Sequence, residues 1–462
     1  MREVKASLRD HREIIGLVAA ALAIRYLLMP FNHIWDITTF HNLFVNLATG
    51  TNPYDEFVRK TYETRASVKG WSRWYAYYAY PPGLIYLYSP LADLWAALVG
   101  HVPATKYLPV GRISYPPRGV VNPWFLVLFK TPIFLADIGI GLLLARMAGQ
   151  RAMKLYLFNP LVILVSAMWM FDAIPLFFLL AGVYLVNHDH PIGAGVSIGL
   201  GTIFKFFPVF VAPAIALYYL RDRDWSFLSF GTSLLATIAI FVAPYAGDVM
   251  ATLDYHGSRV GGGLTLHTFI HLYSTVTTDS VLWLQTSLSP TVGSVTLIGG
   301  LAFVYVWAYN RNLTLYSTVA VTLAGFMLST KLVNEQYGMW LVPFLILVGL
   351  EHGFSPIRRL AYKASYALPI GYAIVNVPIL IFFYPLGFHL QESLSLLTRI
   401  EYPEQLRAAW LSLVAVCFVI TMLGVARTFA VARPGQAGLD ETDTAASPAN
   451  QSNHHSNEVV SK

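Results

Sequence analysis

The sequence predicts an all-α polytopic membrane protein with about twelve helical spans, and three observations carry that prediction. Of 462 residues, 56% are hydrophobic and only 12% are charged, whereas an ordinary soluble domain is about a quarter charged. The mean hydropathy is +0.54. Apolar runs of about 20 residues recur along the chain, bounded by Arg, Lys, Pro and aromatic residues, which is the length a hydrocarbon slab about 30 Å thick requires of a helix. A transmembrane barrel would alternate polar and apolar residues, and these runs do not alternate.

The net charge of +6 does not point to nucleic acid. The basic residues lie in short loops beside the apolar runs, as the positive-inside rule requires, and form no continuous patch. Membrane lipids are therefore the expected partner, and no nucleic acid is. The single cysteine, Cys417, sits inside an apolar run, which excludes a disulfide framework or thiolate cluster within one chain.

Residues 1–13 carry Arg2, Lys5, Arg9 and Arg12 and predict a cytoplasmic N-terminus ahead of an uncleaved anchor at 14–30. Further spans are expected at 123–146, 156–171, 173–186, 193–206, 209–220, 227–246, 292–309, 313–330, 339–350, 366–388 and 409–429. Residues 31–122 then form a long first outer loop. The apolar stretch 82–100 inside it opens on Pro81-Pro82 and contains Pro90 and Asp93. Counting it as a span would place Arg146, Arg151, Lys154, Arg221, Arg223, Arg358, Arg359 and Lys363 outside, against the rule for short loops. It is expected instead as a re-entrant or interfacial helix pair. Residues 351–429 supply the last helices, and the polar tail 430–462 is expected to be disordered and cytoplasmic. Its His454-His455 pair reads as solvated.

Ionisable residues at membrane depth cost roughly 2.5–3.5 kcal/mol on insertion scales and mark candidate functional sites. Arg25, Asp36, Lys130, Asp172, Lys205, Lys331, Glu335 and the loop residues His256, Arg259, His267 and His271 all fall near the outer ends of their spans in this topology. Each has a plainer reading. A lone Arg25 one turn from a span end is expected to snorkel, Lys130 and Asp137 share one helix face and suit structural neutralisation, and Asp172 suits a cap for the next helix. Lys205, at a Pro-broken helix end, fits either snorkelling or a phosphate held at the interface. Asp36, flanked by Trp35 and other apolar residues, suits a partly dry pocket.

The ordered series Arg25, Trp35-Asp36, Gly50-Thr51-Asn52-Pro53-Tyr54, Tyr80-Pro81-Pro82, Lys130 with Asp137, Asn159-Pro160, Asp172-Ala173-Ile174-Pro175, Lys205-Phe206-Phe207-Pro208 and Asn334-Glu335-Gln336-Tyr337 resembles the GT-C membrane glycosyltransferases. The likeness is to glycosyltransferase family 87 and to polyprenyl-phosphate-mannose-dependent mannosyltransferases, and it runs from Arg25 to Pro343. It implies a GT-C-like fold in which residues 14–350 form the catalytic module. The implied donor is a sugar on a polyprenyl or dolichyl phosphate, the implied acceptor is lipid-linked or otherwise membrane-bound, and the implied base is Asp36. Lys205, Lys331, Arg259 and His256 would meet the leaving phosphate, with Arg25 and Lys130 as lesser candidates. Asp172, Glu335, Gln336, Tyr337, Tyr54 and His267 are the implied substrate contacts. Some relatives carry Asp-x-Asp in this loop, whereas here Asp36 is followed two residues later by Thr38. The paired-carboxylate metal site is therefore missing, and no cofactor or metal is expected. A transporter or flippase of lipid-linked sugars is the alternative, although it would place charges near the midplane.

Overall fold

The computed structural model of the protein describes residues 2–54, 78–99, 123–258, 261–266, 268, 289–376, 379–382, 391–394 and 404–433. The chain is largely helical throughout these residues. α1 (Arg2–Leu28), strand β1 (Phe31–His33), α2 (Ile34–Ala48) and α3 (Gly83–Val99) precede α4 (Pro123–Ala148), α5 (Gln150–Leu157) and α6 (Pro160–Leu164). There follow α7 (Ala173–Val186), α8 (Pro191–Phe204), α9 (Ala212–Arg221), α10 (Ser226–Val242), α11 (Ala246–Ser258) and β2 (Gly262–Gly263). The remainder is α12 (Ser289–Asn310), α13 (Leu315–Ser329), β3 (Leu332–Val333), α14 (Gly338–Glu351), α15 (Pro356–Asn376), β4 (Ile379–Phe382), β5 (Gln391–Leu394) and α16 (Glu404–Thr428).

The expectation of about twelve spans is corrected by helix length. Among the described residues, four helical stretches are long and apolar enough to cross a bilayer: Phe125–Ala148, Ser226–Gly257, Val292–Asn310 and Leu406–Thr428. A fifth appears only if the pair Gln150–Leu157 and Pro160–Met168, bent by 53°, counts as one. Several apolar helices are too short. α7 and α8 have 14 residues each and α13 has 15, about 21–22 Å at 1.5 Å per residue. The sequence counted them because a helix apolar on every face reads alike in lipid and in a protein core. Residues Gly338–Gly349 of α14 are all buried, so protein and not lipid surrounds that helix. The apolar helices are those of a membrane protein, with fewer spanning elements than the runs suggested.

Local chemistry explains the breaks. At the α5–α6 corner the Asn159 carboxamide oxygen accepts from the amides of Leu161 (3.0 Å) and Val162 (3.3 Å), a cap completed by Pro160 at the first helical position. This ends the straight helix that residues 156–171 were expected to form. Pro208 turns the chain through a 3₁₀ segment, Phe207–Phe210, between α8 and α9. Within the stretch 82–100, Gly83–Val99 form one helix, α3, in place of the expected pair, and Pro90 lies within it.

Two small sheets fasten the loops. β1, β4 and β5 pair antiparallel in the order β1-β4-β5, with Asn32 opposite Leu380. β2 and β3 pair parallel, Gly262 opposite Leu332 and Gly263 opposite Val333. Gly263 has a φ of +69°, and a Cβ there would collide with the Val333 backbone, so only glycine closes this pairing.

α8 packs closely on both α7 and α10. Its Gly195 abuts the backbone of Phe230, and at Gly199 a Cβ would lie 2.8 Å from Thr237 Cβ. Small residues four apart allow this backbone approach. Gly195→Val is expected to push α8 from α10 and destabilise the protein by about 1–3 kcal/mol, read as a lowered midpoint of unfolding in detergent. An unchanged midpoint would show that this contact is not stabilising.

Candidate functional site

The ends of α7, α8 and α14 meet at Asp172. This fully buried carboxylate makes no capping hydrogen bond to α7, contrary to the cap reading. It accepts instead from Lys205 Nζ at 2.9 Å on each oxygen and from Trp340 Nε1 at 2.6 Å. The ammonium lies 5.5 Å from the Phe171 ring centre, 5.4 Å from Tyr337 and 5.6 Å from Trp340, within cation–π range. Phe207 and Tyr337 stack on Trp340 at 3.9 and 4.0 Å. The Lys205 side chain stays 11% exposed while Asp172 is closed off, so the pair presents its cationic member outward.

Asp36 stands in the first turn of α2 and is half-buried. Phe40, one turn on and therefore on the same helix face, packs edge-on against Phe171 at 5.5 Å and stacks on Phe129 at 4.6 Å. One aromatic cluster thus runs from the α2 turn to the Lys205 ammonium, and Tyr80 joins it 5.1 Å from Phe171. The Tyr54 hydroxyl donates to Tyr80 O at 2.6 Å. Burial, followed by the nearby Asp248 and Tyr245, pushes the Tyr54 phenol well above its ordinary value, so it keeps its proton and acts as a donor.

The segment between α13 and α14 carries Lys331, Glu335, Gln336 and Tyr337. Lys331 Nζ donates to Gly257 O, Glu335 accepts from Asn376 Nδ2 at 2.7 Å, and Gln336 is buried. His256 pairs through Nε2 with Ala79 O at 2.9 Å. Arg259, His267 and His271 lie outside the described residues. Among the described residues no group of three His, Cys, Asp or Glu side chains gathers as a metal-binding set.

Arg25 and Lys130 play a different part. Arg25 does not snorkel: it is fully buried, with Nε donating to Asp137 Oδ2 at 2.8 Å and Nη1 and Nη2 to Leu157 O at 3.3 Å. Tyr156 donates to the other Asp137 oxygen at 2.8 Å. Lys130 Nζ donates to the carbonyls of Met29 (3.0 Å), Phe31 (3.2 Å) and Ala167. Arg25 ties α1 to α4 and α5, and Lys130 ties α4 to the segments that follow α1 and α6. Tyr156, Trp340 and Asn376, the partners that complete these charges, carried no signal of pairing in the sequence, because the contacts span 19, 168 and 41 residues.

No family model matches the chain. Over 135 residues it is 24% identical to GPI mannosyltransferase 1 of Candida albicans, a stretch that is 27% of this chain and 33% of that protein. The similarity is to a mannosyltransferase. It spans about a third of the length of the curated relative, and so amounts to a weak, partial likeness that suggests a distant relation to glycosyltransferases.

Arg25→Met leaves Asp137 buried without its countercharge and is expected to destabilise the protein by about 3–5 kcal/mol. The double variant Arg25→Met, Asp137→Leu is expected to recover most of that loss. Equal unfolding midpoints for wild type and Arg25→Met would contradict a structural role for the pair.

Proposed function

We propose that the protein is an inverting glycosyltransferase that moves a hexose, mannose first among the candidates, from a polyprenyl or dolichyl phosphate to a membrane-associated acceptor. The observation that carries this reading is the shared aromatic cluster that links the half-buried Asp36 to the Lys205 ammonium, and the partial likeness to a mannosyltransferase supports it. In the proposed step the acceptor oxygen bonds to the anomeric carbon, its proton passes to the Asp36 carboxylate, and the carbon–oxygen bond to phosphate breaks with its electron pair on the phosphate. A positioned carboxylate supplies roughly 10² to 10⁴ in rate. Positive charge fixed where the leaving oxygen gains charge is often the larger contribution.

Lys205 is assigned to the leaving phosphate, oriented by Asp172 and Trp340, with Lys331, His256 and Arg259 as further candidates for the same role. Tyr54, Glu335, Gln336, Tyr337 and His267 are assigned to the sugar and acceptor. Arg25 and Lys130, buried and fully engaged, are left with structural roles. The chemistry is assigned to residues 14–350 and to the non-cytoplasmic face of a plasma or endoplasmic reticulum membrane, where lipid-linked sugar donors are used in the GT-C enzymes that the sequence resembles. With Thr38 in place of a second aspartate, no divalent ion is assigned to the reaction.

Transfer of labelled mannose from a synthetic polyprenyl phosphate by the purified protein tests the reading. Asp36→Asn is expected to lower kcat by about 10² to 10⁴ without shifting the unfolding midpoint. Full activity in a folded Asp36→Asn protein removes Asp36 as the base. A chelator is expected to leave transfer unchanged, and loss of activity that a divalent ion restores would overturn the metal-free mechanism.

A further inference from the structure

Arg221 ends α9 and lies far from the Asp172 cluster. Its Nη1 donates to Leu313 O at 3.2 Å, next to the start of α13, whereas Lys331 follows the other end of that helix, about 22 Å away along its axis. Two further guanidinium nitrogens, Nε and Nη2, are buried and have no hydrogen-bond partner. Asp222 lies 3.8 Å from Nε, too far for a hydrogen bond, and is held by Arg433 Nη1 at 2.8 and 3.0 Å. Buried donors of this kind cost free energy until something satisfies them.

Arg221 lines a cleft with Tyr218, Tyr305, Tyr309 and Thr318. The guanidinium carbons of Arg221 and Arg433 lie 4.8 and 4.1 Å from the centre of the same Tyr218 ring. Asp222, within 4 Å of both guanidinium groups, offsets part of their repulsion and leaves the pair with one excess positive charge, while Nε and Nη2 of Arg221 still lack an acceptor. Tyr305 donates its hydroxyl to Phe210 O at 2.6 Å and serves as a wall.

The helix that forms one wall of the cleft points to the ligand class. α12 contributes Tyr305 and Tyr309, and its residues Val295, Ile298, Phe303 and Val306 are 66, 72, 69 and 57% exposed. This apolar stripe lies within one of the four helices long enough to span a bilayer. Arginine and tyrosine at the end of a lipid-facing helix occupy the headgroup level.

We infer that the cleft between α9, α12 and α13 is a binding site for the phosphate of an anionic phospholipid, with Arg221 as its principal ligand and Arg433 as its second cation. The site is separate from the proposed transfer chemistry and stands whether or not that chemistry is correct.

Native mass spectrometry of the full-length protein, titrated with phosphatidylglycerol or phosphatidylcholine, tests the inference. Phosphatidylglycerol is expected to bind more tightly, and Arg221→Gln is expected to weaken it about five- to tenfold. Arg433→Gln, a change at a more exposed side chain, is expected to weaken it in the same direction and serves if Arg221→Gln does not fold. Arg223→Gln, which removes an equal charge two residues away, is expected to change affinity less than about twofold. Equal binding of the two lipids, or undiminished phosphatidylglycerol binding by folded Arg221→Gln or Arg433→Gln, overturns the site. Inorganic phosphate that displaces the lipid at low millimolar concentration, and that stabilises lipid-free protein equally, would identify a soluble phosphate as the ligand and overturn the lipid assignment.

Discussion

The carboxylate of Asp172 ties together segments that the chain keeps far apart. A charge withdrawn from water inside packed apolar helices persists only where a countercharge and hydrogen-bond donors surround it. Here the donors come from Lys205 at the end of α8 and from Trp340 in the first turn of α14. Satisfying one buried charge therefore fixes where three helix ends lie. The stacking of Phe207 and Tyr337 on the two sides of Trp340 limits rotation of the indole and keeps its N–H aimed at the carboxylate. The Lys205 ammonium gains a fixed position from this arrangement without being enclosed by it.

The Arg25–Asp137 pair shows the same physics with the opposite result. Both side chains are wholly buried, and Tyr156 occupies the remaining carboxylate oxygen. Nothing of the guanidinium is presented to a ligand, so its effect is to hold α1 against α4. Lys130 reaches the same end through carbonyl oxygens alone. Of the cations that the sequence places on one face, Arg25 and Lys130, already the lesser candidates there, are enclosed by interior partners, whereas Lys205 stays partly exposed.

Much of the helical layout was legible because apolar runs and their breakers act locally. The run 173–186 coincides with α7, and the Asn159-Pro160 and Phe207-Pro208 signals mark the observed breaks. The number of spans was not legible. α14 is uniformly apolar, and whether lipid or protein surrounds such a helix depends on packing partners that lie elsewhere in the chain. Pairing was hidden for a related reason. Asp137 reads as a face-mate of Lys130 seven residues away, yet its partner Arg25 lies 112 residues off. Asp36 was legible as a candidate from its aromatic setting, but its link to Lys205 through Phe40 and Phe171 required the fold.

The short helices that disqualify so many segments as spans also shape the candidate site. α12 and α13 are antiparallel neighbours joined by a tight turn, so their lengths can be compared directly. The Thr296 hydroxyl donates to Ser329 O at 3.1 Å, which sets the last residue of α13 level with Thr296. α12 then continues past that level through residues 289–295, about 10 Å of helix. Lys331 continues beside this overhang, its side chain lying against Gly293, where any larger residue would displace it. The segment carrying Lys331, Glu335 and Tyr337 is thus recessed beside a longer helix. Within this segment Lys331 donates to Gly257 O and Glu335 accepts from Asn376, so its charges are engaged by partners from outside the overhang. The position of Lys331 is therefore set by the difference in length between two neighbouring helices and by the absence of a side chain at Gly293.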